Sequence, residues 1–338
     1  MAAHREPGAG VPLRALPVER IAGDDALTLR RGATTVRIDG EYAPEIVGAI
    51  LDLATDAGRT EDELVASFAP EAQASIRSLV GELRARRLLL PADAVDDAAA
   101  ESPLDVFYWH FGLQDERSPS PPRGEVVAVA GSTRTAARLC ALLHEAGFGE
   151  AAVVADRDLD EKAAEERVAG ALGGRLPTAL AAVSESGFEP LREWNDFSLE
   201  HELPFLPVAI EDLVAYVGPL VVPYQTACFE CFLRRRYSNL DEAAAREPVE
   251  LRGGGTRILG LHPAISDVAA GAAALELSKL FIPWRSAQQA GYVLTFNLLA
   301  SRFARHRVLK VPRCPACGSL NGRQPTTAVR GTLTGNAG

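Results

Sequence analysis

Residues 226–236 read TACFECFLRRR and residues 311–320 read VPRCPACGSL. Each stretch holds two cysteines separated by two residues, and together they take four of the chain's five cysteines. A C-x-x-C spacing lets two thiolates on one tight turn reach a single ion, and two such units supply all four corners of a tetrahedron. Cys228, Cys231, Cys314 and Cys317 are therefore the expected ligands of a structural zinc, a closed site with no open position for a substrate. About 82 residues separate the pairs, so the ion would join the end of a sheet region to the C-terminal segment. The competing reading is a redox dithiol of the thioredoxin kind, but that motif occurs once, near the start of a βαβ unit, and has no use for a second copy. Cys140, in the apolar run ARLCALL, reads as a small buried hydrophobe.

Upstream of the first pair the chain alternates strand and helix. EVVAVAG (125–131) is a short apolar run ending in glycine, STRTAARLCALLHEAG (132–147) a helix with Ser or Thr available to cap it, and AAVVADRD (151–158) a second apolar run. That is a βαβ unit, which predicts an α/β domain with a largely parallel sheet. TALAAVS, PFLPVAI and LVAYVGPLVVP are further strand candidates, and HPAISDVAAGAAALELSKLF (262–281) is a long helix. A phosphate-cradling turn needs glycines so that the backbone can approach the ligand. Here the turn reads AGSTRTAAR: Gly131 is present, but Arg134 and Ala136 stand where further glycines are expected. Asp156 and Asp158 end the second strand, where a ribose or metal could be met, although acidic residues there are commonly plain turn formers.

The first 92 residues form a separate unit. PVERIAGDDALTLRRGATTVRIDG (17–40) holds two or three short β-prone runs joined by tight turns. Pro44 fits a first helical turn, Ile46, Val47, Ile50, Leu51 and Leu53 follow at helical spacing, and Thr60 with Glu63 reads as a capping box. Ile76, Leu79, Val80 and Leu83 mark a third helix, and RRLLLPAD (86–93) closes the unit as a strand. Three helices beside a small sheet make the outline of a winged helix. Residues 93–124, acidic and alanine-rich at one end and proline- and serine-rich at the other, read as a linker. Within it LDVFYWHFGLQ (104–114) is unusually aromatic and predicts a strand or helix packed between domains. The α/β domain runs from 125 to 320, and 321–338 is read as a loose tail.

A 338-residue chain with 47% hydrophobic and 24% charged residues forms cores. Its net charge of -10 argues against nucleic acid as the main partner and disfavours a winged-helix DNA-binding regulator, a local strip such as Arg234, Arg235 and Arg236 notwithstanding. No run approaches the roughly 18 apolar residues that span a bilayer, and MAAHREPGAG lacks the apolar stretch of a secretion signal. These features predict a cytoplasmic protein without membrane partners, in a compartment where paired cysteines bind metal rather than form disulfides.

Residues 125–320 resemble the ThiF/MoeB-type adenylating fold, in which a Rossmann-like sheet is followed by P-x-x-x-x-C-x-x-C, a long helix and a closing C-x-x-C. Here these are PYQTACFEC, HPAISDVAAGAAALELSKLF and CPAC, while REWNDF and PFLPVAI resemble the intervening strand region. Active members carry a glycine-rich turn, an acidic strand end followed by Asn and Arg-Gln, and a later Asp-x-x-Asp. The corresponding stretches here, GSTRTA, DRDLDEKAAEERV and SESGFEP, lack most ATP and magnesium ligands. The N-terminal unit resembles the PqqD-like RiPP recognition element, which binds the leader of a ribosomally made precursor peptide. The fusion is similar to ocin-ThiF-like (F-protein) partners of azoline biosynthesis, which present a peptide to a separate YcaO cyclodehydratase for thiazoline or oxazoline formation. The resemblance implies a non-catalytic, zinc-containing partner subunit, with homodimers as a further implication. The alternative is a ThiF-type adenylyltransferase that activates a peptide carboxylate with ATP.

For leader recognition, an open sheet edge offers unpaired N–H and C=O groups, and a neighbouring apolar groove reads alternate residues. The expected edge is Thr34, Thr35, Val36, Arg37, Ile38 and Asp39. The facing helix would offer Ile76, Val80 and Leu83 as groove and Arg77, Arg84 and Arg87 as attraction for an acidic leader. The opposing reading makes the apolar members core and the arginines a solvated face.

Overall fold

The structure is a computed structural model and describes residues 10–55, 57–95, 102–111, 121–154, 161–211, 213–238, 260–282 and 290–318. Asp156, Asp158 and the tail from 321 lie outside the described residues. The chain divides into two compact units, Met1–Ser120 and Pro121–Gly338.

In the first unit, β2 (Glu19–Gly23), β3 (Ala26–Arg31) and β4 (Thr34–Asp39) form an antiparallel sheet in the order β2-β3-β4, and β1 (Leu13–Ala15) pairs with β5 (Leu89–Pro91). Helices α1 (Ala43–Leu53), α2 (Glu61–Ala66) and α3 (Gln73–Ala85) follow where the apolar spacing predicts them. The α2 start is set by the expected capping box: Glu63 N–H donates to Thr60 Oγ1 at 3.2 Å, and Thr60 N–H donates back to the Glu63 carboxylate at 2.8 Å. Val47, Ile50, Leu51, Leu64, Val80 and Leu83, each at most 1% exposed, form one core with Leu27 and Leu29 of β3.

The segment read as a linker contains α4 (Pro103–Phe111), which belongs to this first unit. Trp109 is 3% exposed within the same core, and its indole N–H donates to the Arg87 carbonyl at 3.2 Å. The Arg31 guanidinium lies 5.1 Å from the Trp109 ring centroid and donates to the Pro17 carbonyl. Burial pulls its pKa down while Asp105 of α4 pushes it back up. Thr34 Oγ1 and His110 Nδ1 are 3.0 Å apart, so the aromatic stretch is fastened to the β3–β4 hairpin as well as to the core.

The second unit is a seven-stranded sheet in the order β12-β11-β10-β9-β8-β6-β7. Strands β6 (Val126–Ala130), β7 (Glu150–Val154), β8 (Ala179–Ser184) and β9 (Phe205–Glu211) are parallel; β10 (Val214–Val217), β11 (Tyr292–Asn297) and β12 (Arg302–Arg307) extend them antiparallel. VVAVA in β6 and ALAAVS in β8 are buried on both faces, which is why they read as continuous apolar runs. One face packs against α5 (Arg134–Glu145) and α9 (Pro263–Leu280) through Leu139, Leu143, Ala269, Ala273 and Leu277. The other packs against α6 (Glu161–Ala171), α7 (Pro190–Glu200) and α8 (Phe229–Ser238) through Val168, Leu191, Trp194, Phe229 and Leu233.

REWNDF, expected in a strand region, is helical. Pro190 opens α7, and Leu191, Trp194, Phe197, Ser198 and Leu199 fall at the i, i+3, i+4 spacing of one buried face, so packing onto the sheet selects a helix there.

Candidate functional site

Four buried thiols converge where the sheet's C-terminal strap meets α8. The Sγ atoms of Cys228, Cys231, Cys314 and Cys317 all lie within 4.8 Å of one another. The individual separations are 3.8 Å for Cys228 to Cys231, 3.7 Å for Cys228 to Cys314 and 3.6 Å for Cys231 to Cys317. A tetrahedron with metal–sulfur bonds of about 2.3 Å has edges of about 3.8 Å, so the donor set fits a four-sulfur metal ion. The surrounding contacts hold the thiols in place: Val311 N–H donates to Cys231 Sγ at 3.3 Å, and the side-chain oxygen of Asn195, a residue 1% exposed, accepts from Phe229 N–H at 2.9 Å, fixing the start of α8 between Cys228 and Cys231. Mutual hydrogen bonding within the cluster lowers the Cys231 and Cys314 thiols and raises those of Cys228 and Cys317, whereas burial alone pushes the remote Cys140 up to about 11. All four positions are taken by protein sulfur, so such an ion would hold structure and present no open site.

The first βα turn has a different occupant from the phosphate it resembles a cradle for. Gly131 has φ +122°, and a Cβ there would stand 2.4 Å from the Val183 carbonyl oxygen, so the glycine is required by the close approach of β8. Thr133 caps α5 by accepting from Ala136 N–H at 3.1 Å. The next donors are taken by Glu185, at the end of β8: its carboxylate accepts from Thr135 N–H at 3.1 Å and from Thr135 Oγ1 at 2.6 Å. Across the mouth, Arg134 lies 3.6 Å from Asp267 in α9. This crevice lies between β6 and β8, where the chain order reverses and ligands of open α/β sheets bind. An internal carboxylate therefore sits against the helix start that would otherwise draw an anion.

The residues expected to grip a peptide divide into two groups. Strand β4 is an edge of its sheet, paired only with β3 among the described residues. Thr34, Val36 and Ile38 are half-buried and Thr35, Arg37 and Asp39 exposed, in strict alternation. Arg37 is ion-paired with Asp39 at 2.7 Å, a contact that raises its pKa. On α3, by contrast, Ile76, Val80 and Leu83 are 2%, 0% and 1% exposed. They fill the core together with Leu51, Leu64 and Leu89 and so offer no open groove. Arg87 is buried with φ +57° beneath Trp109, which takes its carbonyl. Arg77 pairs with Glu61 and Asp62, and Arg84 with Glu61. The strand is thus placed as an accessible edge, and the helix is not placed as its partner surface.

No known protein-family model matches the chain, and no curated protein matches it. Among solved structures it is similar to the heterocyclase TruD, at 19% identity and a TM-score of 0.62, covering 94% of this chain and 45% of that one. A heterocyclase in complex with substrate and cofactor gives 18% identity and a TM-score of 0.61 over 94% of this chain and 42% of that one. Escherichia coli MccB, in a structure with MccA-N7isoASN, gives 12% identity and a TM-score of 0.61 over 91% and 99% of the two chains. At these identities the likeness is one of fold. The chain spans less than half the length of the two heterocyclases.

Among the described residues no helix is long and apolar enough to cross a membrane. Sequence reasoning missed Glu185, because a carboxylate in a turn becomes legible only when the topology sets the end of β8 beside the start of α5. It also missed β11, β12, α7 and α8; β12 reads RFARHR, with no apolar alternation to announce a strand.

Proposed function

We propose that this chain is a peptide-recognition partner in the modification of a ribosomally made precursor, binding the leader through its first unit and presenting the remainder to a separate YcaO-type cyclodehydratase. The first unit acts as a winged-helix recognition element, zinc at the four cysteines ties the C-terminal strap to the sheet, and the second unit performs no adenylation of its own. The observation that carries the reading is the alternating, open β4 edge in a chain whose fold is shared with a substrate-bound heterocyclase and with MccB. An extended leader added alongside β4 would gain main-chain hydrogen bonds, while the exposed Thr35 and the Arg37–Asp39 pair would meet its side chains. Loss of the ATP role is supported by the Glu185 carboxylate on Thr135 and by the missing glycines. The adenylyltransferase alternative would need that carboxylate to give way to a phosphate.

Full-length protein should bind the leader of its cognate precursor, with affinity measured by fluorescence anisotropy. A series of leaders N-methylated one residue at a time should lose binding at every second position, since only alternate N–H groups of the leader face β4. Uniform losses without that alternation, or binding that survives every N-methylation, would overturn strand addition. Pyrophosphate exchange by the chain alone would favour the adenylyltransferase.

A further inference from the structure

The chain's charge is unevenly distributed. From Leu277 to the C-terminus there is no Asp or Glu and there are nine Lys or Arg, in a protein of net charge -10. The part of this segment that folds into the sheet is β11 and β12, at the end of the strand order. Register places Asn297 opposite Arg302, Thr295 opposite Ala304 and Val293 opposite His306, and β10 adds Val214 and Tyr216 beside Asn297 and Thr295. These residues share one sheet face, and with the end of α8 they enclose a trough of ≈ 490 Å³. Its floor mixes Val214, Val293 and Ala304 with Tyr216, Thr295 and Asn297, and its rim is cationic, with Arg235 and Arg236 on the α8 side and Arg302 and Arg307 on the strand side.

The rim charges differ in what they already do. Arg236 is committed, stacked 5.0 Å from the Phe188 ring centroid and paired with buried Glu211 at 3.1 Å. Arg235 donates to the carbonyls of Leu309 and Lys310. Arg302 and Arg307 are exposed and have no ion pair or hydrogen bond among the described residues. Both lie on the rim and concentrate positive potential along the trough.

We propose that this trough is a docking surface for an extended, acidic polypeptide segment of a partner protein, its carboxylates meeting Arg302 and Arg307 and its alternate apolar side chains resting on Val214 and Val293. A polypeptide fits better than nucleic acid: the molecule as a whole repels a polyanion, whereas a short acidic segment meets the rim alone. The surface is separate from the β4 edge, so the proposal stands whether or not the leader binds there.

The test uses full-length protein and a fluorescein-labelled eight-residue peptide of alternating Glu and Val. Saturable anisotropy that weakens as salt rises, and that the matched Lys and Val peptide does not reproduce, is the expected result. R302E/R307E should lower the affinity at least about tenfold, in line with two rim ion pairs lost and two repulsions gained, while leaving Tm unchanged because neither side chain has an ion pair or hydrogen bond among the described residues. Equal binding by the double variant would overturn the proposal. So would tighter binding of a single-stranded oligonucleotide than of the acidic peptide, or binding of the peptide only after the chain's own acidic residues 239–250 are deleted.

Discussion

Removal of the metal from the four-cysteine centre should lower the stability of the second unit by an amount set by the loop it closes. Cys228 and Cys314 are 86 residues apart in sequence and their sulfurs 3.7 Å apart in space. Without an ion the sulfurs have only weak thiol contacts to hold them, and the C-terminal strap regains the freedom of a long open loop. The chain-entropy relation for a cross-link over such a loop gives about 4.6 kcal/mol at 25 °C. At roughly 2–4 °C per kcal/mol for a unit of this size, Tm should fall by about 10–15 °C. The assay is calorimetry under reducing conditions with and without a high-affinity zinc chelator, with metal content measured on the same samples. Cys317→Ser should reproduce most of the chelator effect, and the chelator should add little to it. A metal content below about half an equivalent, or a Tm shift under about 3 °C on complete removal, would refute the reasoning.

Trp109→Ala should destabilise the first unit by about 3–5 kcal/mol, read by urea denaturation, because a large side chain leaves a packed core; a fragment 1–120 should fold and a fragment 1–92, which lacks α4, should unfold far more easily. Wild-type protein should bind no Mg·ATP by calorimetry, and Glu185→Ala should uncover weak binding of inorganic phosphate at the start of α5; nucleotide binding in the wild type that the substitution abolishes would instead make Glu185 part of a working site. Thr60→Ala should cost about 1 kcal/mol at neutral pH through loss of the α2 cap. The Thr60 backbone N–H, followed by its hydroxyl, holds the Glu63 carboxyl below its ordinary value of 4.5. That contribution is therefore complete above pH 4.5 and is lost as pH falls through the lower folded-state value, so the Tm difference between wild type and variant should narrow in acid.

Much of the architecture was legible in particular residues. The Thr60 and Glu63 pair announced α2, Thr133 announced the start of α5, and the apolar runs at 126–130 and 179–184 announced buried parallel strands, because capping and burial leave local marks on sequence. The helix at 190–200 was not read correctly, since its one-sided apolar pattern matters only once a sheet is there to receive it.

By itself the sequence determined the two-unit order, the α/β class, the four-cysteine donor set and the departure of GSTRTA from a phosphate turn, each a property of residue type and spacing. Only the tertiary structure decided that Ile76, Val80, Leu83 and Arg87 are interior, that Trp109 belongs to the first unit's core, that Glu185 takes the donors at the start of α5, and that Arg302 and Arg307 of β12 border one trough with Arg235 and Arg236. A helix stripe looks the same whether it faces a core or a groove, and a carboxylate finds its donor across 50 residues of chain only through the order in which the strands pack.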